Sequence, residues 1–236
     1  MSETMVQMIL EDMRRERRET RKKIFALIRE AVKADDWDTV RKFGHYSADI
    51  AAAILRVFSD RLSPKYKREI ALFHFTDKGD SYPIIRRTVI ESLNCRPENW
   101  RDNLPEPVRE LDTFTVYRAG VEPIENAQFS MSWTLSRDVA EWFAKRQEHY
   151  GWGESHLYRG IISAEKIIAY LNDRREFEIV QYGNVCQIEE ITRRGPSEEF
   201  LSLRSMEDRY NQEAIDRQNR MFEDYINKSL ALEKVS

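Results

Sequence analysis

Residues 113–120 read Thr-Phe-Thr-Val-Tyr-Arg-Ala-Gly, and the character of the chain changes at this stretch. Aromatic and β-branched residues of this kind favour a β-strand, and the closing Ala119-Gly120 favours a turn at its end. The residues before it carry helical spacing, whereas those after it contain several more short strand patterns. We therefore predict an α+β protein in which a helical amino-terminal region precedes a β-sheet.

The amino-terminal part is expected to be helical throughout. No proline or glycine occurs between residues 2 and 34, and apolar residues recur there at helical spacing, which predicts one long helix. A second helix is expected at 36–62, where Ser63-Pro64 ends it. Further helices are expected between residues 65 and 94, with turn chemistry near residue 80, before a linking loop at 97–107.

Beyond residue 120 the patterns indicate strands and helices in turn. A strand is expected at 128–134, and Ser136 can cap a helix at 137–147. The remaining expected elements are strands at 157–162, 176–181 and 185–192 and a short helix at 165–170. After Gly195-Pro196 the chain is expected to be helical and highly charged to its end.

Composition narrows the classes of function. Of the 236 residues 33% are charged, and the formal net charge of -3 argues against a globally basic nucleic-acid binder. The basic run from Arg14 to Lys23 could contact nucleic acid, but its interleaved glutamates favour a solvated helix face. Cys95 and Cys186 lie far apart, and the four histidines show no ligand spacing. We therefore predict neither a disulfide framework nor a metal site.

The start of the chain lacks the basic and apolar regions of a signal peptide. No apolar stretch approaches the length that spans a membrane. We therefore expect no membrane contact and a cytoplasmic location, while export by a route that needs no such signal stays open.

Two acidic residues, Glu176 and Glu178, alternate within the strand expected at 176–181. Side chains two residues apart in a strand share a face and lie roughly 6.5 to 7 Å apart along the chain. Like charges at this spacing repel each other, so a purely structural sheet gains nothing from the pair. A cation, or a positive charge that develops during a reaction, would be stabilised between them. The pair is therefore a candidate active-site feature.

Three segments carry a resemblance to a known family. They are residues 117–120 (Tyr-Arg-Ala-Gly), 129–134 (Phe-Ser-Met-Ser-Trp-Thr) and 176–178 (Glu-Phe-Glu), each on an expected strand. Their order resembles the Arg, Ser, Glu signature of the ADP-ribosyltransferase superfamily in its Glu-x-Glu form, whose members hold NAD in a cleft between two small sheets. Residues 132–136 and 139–144 look like that family's serine strand and its following helix. The resemblance spans about residues 113–192.

The resemblance implies a binding site for NAD as a co-substrate. Arg118 would place its planar, permanently charged fork on the pyrophosphate and the neighbouring ribose. The main chain of Ala119 and Gly120 would approach the nicotinamide amide closely, because glycine leaves room there. Ser132 and Thr134, on the serine strand, complete the implied cofactor-binding set.

The resemblance also implies a catalytic set of Ser132, Glu176 and Glu178. Glu178 would stabilise the positive charge that develops on the ribose as nicotinamide leaves, and would hold a ribose hydroxyl. Ser132 would orient Glu178 by hydrogen bonding. Glu176 would engage the acceptor, which in the Glu-x-Glu form is associated with arginine.

The implied function is mono-ADP-ribosylation of a protein side chain, with arginine as the first choice, and with release of nicotinamide. Members of this size are often bacterial effectors or bacteriophage proteins, which implies a host protein as partner and the producing or the host cytoplasm as location. Two alternatives stay open. An NAD glycohydrolase would use Arg118, Ser132 and Glu178 without needing Glu176, and a catalytically inactive module would only bind a partner protein.

The resemblance covers only the middle of three expected regions. They are a helical region at 1–105, an ADP-ribosyltransferase-like split-sheet core at 106–196, to which helices from 64–94 could contribute, and a charged helix at 197–236. The helical region would dock the target, restrain the enzyme before delivery or complete the core.

Three aromatic residues near the implied site have open roles. Trp133 either reshapes the nicotinamide pocket or serves as a core aromatic. Tyr170 either helps to recognise the acceptor or packs against the core. Trp152, between two glycines, is a candidate flap over the nicotinamide.

Overall fold

The computed structural model of the protein describes residues 3–78, 82–172 and 176–204, and the side chains of all of these except 3–17 and 76–78. The chain divides into two compact units between Val89 and Ile90, upstream of the boundary expected at residue 105. The described residues of the first unit are helical, and the second unit contains an antiparallel sheet. A mixed α and β architecture with a helical amino-terminal region is therefore confirmed.

The described residues up to position 91 form helices joined by short connections. Its α-helices among the described residues are α1 (Glu3–Lys33), α2 (Trp37–Gly44), α3 (Ala48–Val57), α4 (Pro64–Lys78) and α5 (Pro83–Glu91). The long first helix is confirmed, whereas the single helix expected at 36–62 is wrong, because the chain breaks between α2 and α3. None of the helices in the described ranges is long and apolar enough to cross a membrane.

Ser47 sets the break between α2 and α3. Its side chain accepts the N–H of Ile50 at 3.3 Å and so caps the first turn of α3. At the end of α2, Gly44 packs closely on α4, where an added Cβ would come within 2.9 Å of a carbon of Ile70. Buried apolar residues continue on both sides of the break, which is why the spacing indicates one helix.

The second unit contains the strands that position the candidate site. In chain order its elements are β1 (Thr113–Gly120), α6 (Ile124–Ala127), β2 (Ser132–Thr134), α7 (Arg137–His149), β3 (His156–Ser163), β4 (Ile167–Leu171), β5 (Glu178–Gln181) and β6 (Cys186–Glu190). The cap expected for α7 is confirmed, because the Ser136 hydroxyl accepts the N–H of Val139 at 3.4 Å.

The strands form one antiparallel sheet in the order β4-β5-β2-β1-β3-β6. The join in its middle is narrow, since β1 and β2 share one registered pair, Tyr117 with Thr134, whereas β1 and β3 share eight. On the other side of β2, residues 132–134 pair with residues 178–180 of β5. The sheet thus consists of two three-stranded halves, and the predicted site residues lie beside their join.

The strand expected at 128–134 is shorter than predicted, because the turn that follows α6 takes up its first residues. The main-chain N–H groups of Phe129 and Ser130 bond to carbonyls of α6 at 3.1 and 3.0 Å. Those groups are therefore not available to a strand ladder, and β2 begins only at Ser132.

The short helix expected at 165–170 is wrong. A single 3-10 turn at Ala164–Lys166 leads into β4, which reads Ile-Ile-Ala-Tyr-Leu. A short apolar run suits a helix or a strand equally well, and pairing with β5 decides for the strand. Of the carboxy-terminal helix expected at 197–236, residues 198–204 are described and are helical, and the remainder lies outside the described residues.

One face of the sheet forms a hydrophobic core, in which Phe114, Trp133 and Ile179 are buried together. Trp133 is 2% exposed, and its Nε1 donates to the carbonyl of Ser130 at 2.8 Å. Tyr170 packs against the same cluster, and burial raises the pKa of its phenol to about 12. Both aromatics therefore serve the core.

A buried carboxylate ties the segment after β6 to α7. Glu141 is 0% exposed and accepts the main-chain N–H groups of Arg194 and Gly195 at 3.0 and 3.1 Å. Arg137 Nε donates to it at 3.2 Å. Hydrogen bonds to a charged group stabilise more than neutral ones, so Glu141 fixes the path of residues 194–195.

Glu141→Gln is expected to lower the free energy of unfolding by about 3 kcal/mol, because its NH₂ group would face a main-chain N–H that it cannot accept. Urea titration followed by circular dichroism measures the loss. Glu148→Gln is the matched control, since Glu148 lies on the same helix and binds the adjacent Arg193, but at an exposed site. An equal loss in both variants would contradict the role of burial.

Candidate active site

Ser132 and Glu178 are brought together on neighbouring strands. Ser132 pairs with Val180 and Thr134 pairs with Glu178, so these four side chains leave one face of the sheet. Ser132 Oγ donates to Glu178 Oε1 at 2.5 Å, and Glu178 is 6% exposed. A buried carboxylate that a neighbouring hydroxyl holds is fixed in direction.

Glu176 does not share the strand face of Glu178. β5 begins at Glu178, and Phe177 before it has a φ of 48°, in the left-handed region that breaks strand alternation. Asn172 Oδ1 accepts the Phe177 N–H at 3.1 Å, and Thr134 Oγ1 donates to the Glu176 carbonyl at 2.6 Å. The expected strand thus loses its first two residues, and the expectation of two acids on one strand face is wrong.

Thr134 is bonded to the main chain on both sides. Besides donating to the carbonyl of Glu176, its hydroxyl accepts the N–H of Ser136 at 3.0 Å, and the side chain is buried. Thr134 therefore holds the segment before β5 against the start of α7.

Arg118 meets Ser132 through the main chain. Its Nη1 donates to the Ser132 carbonyl at 2.9 Å. Tyr117 pairs with Thr134 and so shares the sheet face of Ser132 and Glu178. Because side chains alternate along a strand, Arg118 leaves the other face of the sheet. Ser132 links the two, binding Arg118 with its carbonyl and Glu178 with its hydroxyl, but they do not leave the sheet on one face.

An internal carboxylate occupies the fork of Arg118. Nε and Nη2 of Arg118 reach Glu122 Oε1 at 3.1 and 3.0 Å, and the Ser130 hydroxyl reaches the same oxygen at 3.4 Å. Glu122 lies over Gly120, where an added Cβ would come within 2.3 Å of Oε2. The two charged side chains are 26% and 27% exposed. Three donors thus hold one oxyanion at a place that solvent reaches.

The main chain that follows Arg118 is tied to α7. Gln147 Nε2 donates to the carbonyl of Ala119 at 3.5 Å, and the Ser155 hydroxyl donates to Gln147 Oε1 at 2.8 Å. Ala119 and Gly120 are both buried. The two residues predicted to approach nicotinamide therefore lie between the fork of Arg118 and the end of α7.

Two residues outside the predicted set lie at Glu176: Arg204 binds its carboxylate, and Trp142 contacts Arg204. Arg204 Nη2 donates to Glu176 Oε1 at 3.1 Å, and the guanidinium carbon of Arg204 lies 4.6 Å from the centroid of the Trp142 ring. Glu176 and Arg204 are 7% and 8% exposed, so the ion pair is buried. The carboxylate expected to engage an acceptor thus binds a guanidinium of its own chain.

Trp152, the candidate flap, is 63% exposed and stacks on Tyr150 with ring centroids 5.8 Å apart. Its neighbour Gly153 approaches Val121, since an added Cβ on Gly153 would lie 3.8 Å from the Val121 side chain. Trp152 is therefore carried on a loop beside the segment that follows β1.

Sequence reasoning did not identify three of these contact residues, which are Glu122, Trp142 and Arg204. The sequence does contain a signal for Glu122: an acidic residue four positions after Arg118, just beyond the strand, is close enough to bind its guanidinium. Helical spacing places Trp142 in the apolar stripe of α7, which conceals the role of its ring. Arg204 carries no signal, because no sequence pattern brings it to Glu176.

No protein-family model matches this chain, and neither a curated protein nor a solved structure does so. Within the part of the chain that the structure describes, no group of three His, Cys, Asp or Glu side chains could hold a metal ion. A function for the protein has to follow from the contacts described above.

Proposed function

We propose that the protein is an NAD-dependent mono-ADP-ribosyltransferase that modifies a protein side chain, arginine first, and releases nicotinamide. The observation that carries the proposal is the hydrogen bond of 2.5 Å from Ser132 to the buried carboxylate of Glu178. A carboxylate fixed in this way can stabilise a positive charge on a ribose without having to reorient. Burial strengthens the interaction, because water screens it less.

In the proposed reaction the bond between C1′ of the ribose and the nicotinamide nitrogen breaks, and nicotinamide leaves with the electron pair. Glu178 stabilises the positive charge that remains on the ribose. A nitrogen of the acceptor guanidinium then bonds to C1′ and gives up one proton to the carboxylate of Glu176. Ser132 keeps Glu178 oriented throughout and exchanges no proton.

The contacts of Arg118 support an anion-binding role. Its Nε and Nη2 hold one carboxylate oxygen of Glu122, so the fork has the geometry of an oxyanion site. A pyrophosphate oxygen is also a negatively charged acceptor and can take the place of that oxygen. The proposal puts the pyrophosphate of NAD on this fork, with the Ser130 hydroxyl as a further donor. Because Arg118 and Glu178 leave opposite faces of the sheet, NAD has to extend past Ser132, which binds Arg118 with its carbonyl and Glu178 with its hydroxyl, for the ribose to reach Glu178.

One observation favours an NAD glycohydrolase as a second candidate. Arg204 binds the carboxylate of Glu176, the group proposed to receive the acceptor. While Arg204 stays there, water rather than a guanidinium would complete the reaction at C1′. Glu176→Gln separates the two functions, because a transferase would lose transfer and retain hydrolysis.

Incubation with NAD labelled in its adenylate group, together with a cell lysate or with agmatine, tests the proposal. Agmatine is a small amine that carries a guanidinium group. We expect free nicotinamide and label on agmatine or on a lysate protein. Release without transfer would assign the glycohydrolase. Neither release nor transfer across varied lysates would overturn the proposal in favour of a binding module.

A further inference from the structure

The segment at 193–204 returns along α7 to the candidate site. The buried glutamate of α7 holds its start, as described above. Further on, Asp138 accepts the main-chain N–H of Ser197 at 3.3 Å and its hydroxyl at 3.1 Å. At its end the guanidinium of Arg204 lies over the ring of Trp142, also on α7. α7 thus carries the attachments that deliver Arg204 to Glu176.

The surroundings of Arg204 suit a guanidinium in particular. Glu176 supplies a carboxylate oxygen 3.1 Å from Nη2, and Trp142 supplies an aromatic ring 4.6 Å from the guanidinium carbon. A planar cation can use both at once, because it stacks on the ring while its edge donates hydrogen bonds. The ion pair is buried, so an uncompensated charge here would be costly.

The distribution of charge also indicates a specific contact. Trp142 lies beneath a second guanidinium, that of Arg146, whose central carbon is 5.3 Å from the ring centroid. Two like charges near one indole repel each other. The carboxylate of Glu176 offsets this repulsion for Arg204, so the ring and the carboxylate act together.

We propose that Glu176 and Trp142 form a guanidinium-binding subsite, and that Arg204 is its intramolecular occupant, in the position of an acceptor arginine. The inference rests on the proposed function, which makes Glu176 the acceptor-binding carboxylate. A protein arginine has to displace Arg204, so residues 198–204 weaken the apparent binding of acceptors. The subsite selects arginine over lysine, because an ammonium group cannot stack flat on the ring.

The expected effect follows from competition within the chain. A tethered group acts on its site with an effective concentration on the order of millimolar. In the wild-type chain agmatine has to compete with the tethered Arg204 side chain for the subsite. In a variant without the Arg204 side chain this competition is absent. We expect Arg204→Ala to lower the Kd for agmatine by about tenfold.

Calorimetric titration of agmatine into the full chain, without NAD, measures this affinity. Arg204→Ala is expected to bind one agmatine more tightly than the wild type, and a second change, Glu176→Gln or Trp142→Leu, is expected to abolish the gain. Putrescine, an amine of similar length without a guanidinium, should show no gain. Equal Kd values for agmatine in the wild type and in folded Arg204→Ala would overturn the inference.

If circular dichroism shows that Arg204→Ala is unfolded, Arg204→Lys is used in its place. Lysine keeps the charge next to Glu176 but stacks less well, so agmatine should bind with intermediate affinity. A Kd unchanged from the wild type in folded Arg204→Lys would then overturn the inference.

Nicotinamide release, measured in parallel, separates the two proposals. Release without any gain in agmatine affinity overturns the subsite alone, whereas a gain without release overturns the enzyme and leaves the subsite.

Discussion

Glutamine in place of Glu178 is expected to slow the release of nicotinamide from NAD by about a thousandfold, with little change in KM. Glu178 is buried and held by Ser132, so its fixed charge acts on the ribose mainly when positive charge develops there. An interaction that strengthens only in the transition state affects kcat. Initial rates of nicotinamide release over a range of NAD concentrations measure both constants.

The fold is expected to survive this substitution. Glutamine has the length of glutamate, and its side-chain oxygen can still accept the hydroxyl of Ser132. Removing a buried negative charge also lowers the cost of desolvation, so thermal unfolding should be unchanged or slightly raised. A lower unfolding temperature, like that expected for Glu141→Gln, would show that the charge of Glu178 serves the fold.

Two further variants separate the effect of the Glu178 charge on the rate from the effect of its orientation. Ser132→Ala keeps the carboxylate but releases it from the hydroxyl, and Glu178→Asp keeps the charge but draws it back by one methylene. Both should lose about ten- to a hundredfold in rate, less than Glu178→Gln. If Glu178→Gln released nicotinamide at a rate within tenfold of the wild type, Glu178 would not be a catalytic residue.

Local signals account for what the sequence predicts correctly about the fold. The cap at Ser136 and the aromatic and β-branched run of β1 depend on residues only a few positions apart. Such signals locate helix starts and strands without knowledge of the rest of the chain. The contact between Ser132 and Glu178 is different, because it follows from the order of motifs in the resemblance and not from any local pattern.

Contacts between distant segments decide what the sequence does not predict. The alternation of acids around Phe177 indicates a strand, yet Asn172 and Thr134 bond the main chain there, and Glu176 leaves the strand face. The ion pair of Glu176 with Arg204 likewise joins separate elements. A pattern counted along one segment cannot report a partner that the fold brings from elsewhere.

Arg118→Lys is expected to raise the KM for NAD by about a hundredfold, with a smaller effect on kcat. Lysine would offer one point charge where Arg118 makes three contacts, from Nη1 to the Ser132 carbonyl and from Nε and Nη2 to Glu122. Glu122→Gln is expected to have the opposite effect and to lower KM several-fold, because it removes the charge that competes with the pyrophosphate for the fork. Nicotinamide release measured against NAD concentration gives both values.

The opposite signs distinguish an anion site from a structural brace. If Arg118 and Glu122 only braced the end of β1, both variants would raise KM and lower the unfolding temperature together. When Glu122→Gln is combined with Arg118→Lys, the fall in KM caused by Glu122→Gln should disappear, because the guanidinium for which Glu122 competes with NAD is absent. Glu125→Gln, at an exposed acid on α6, is the matched control and should leave KM unchanged. An equal fall in KM for Glu125→Gln would assign the effect to net charge rather than to the fork of Arg118.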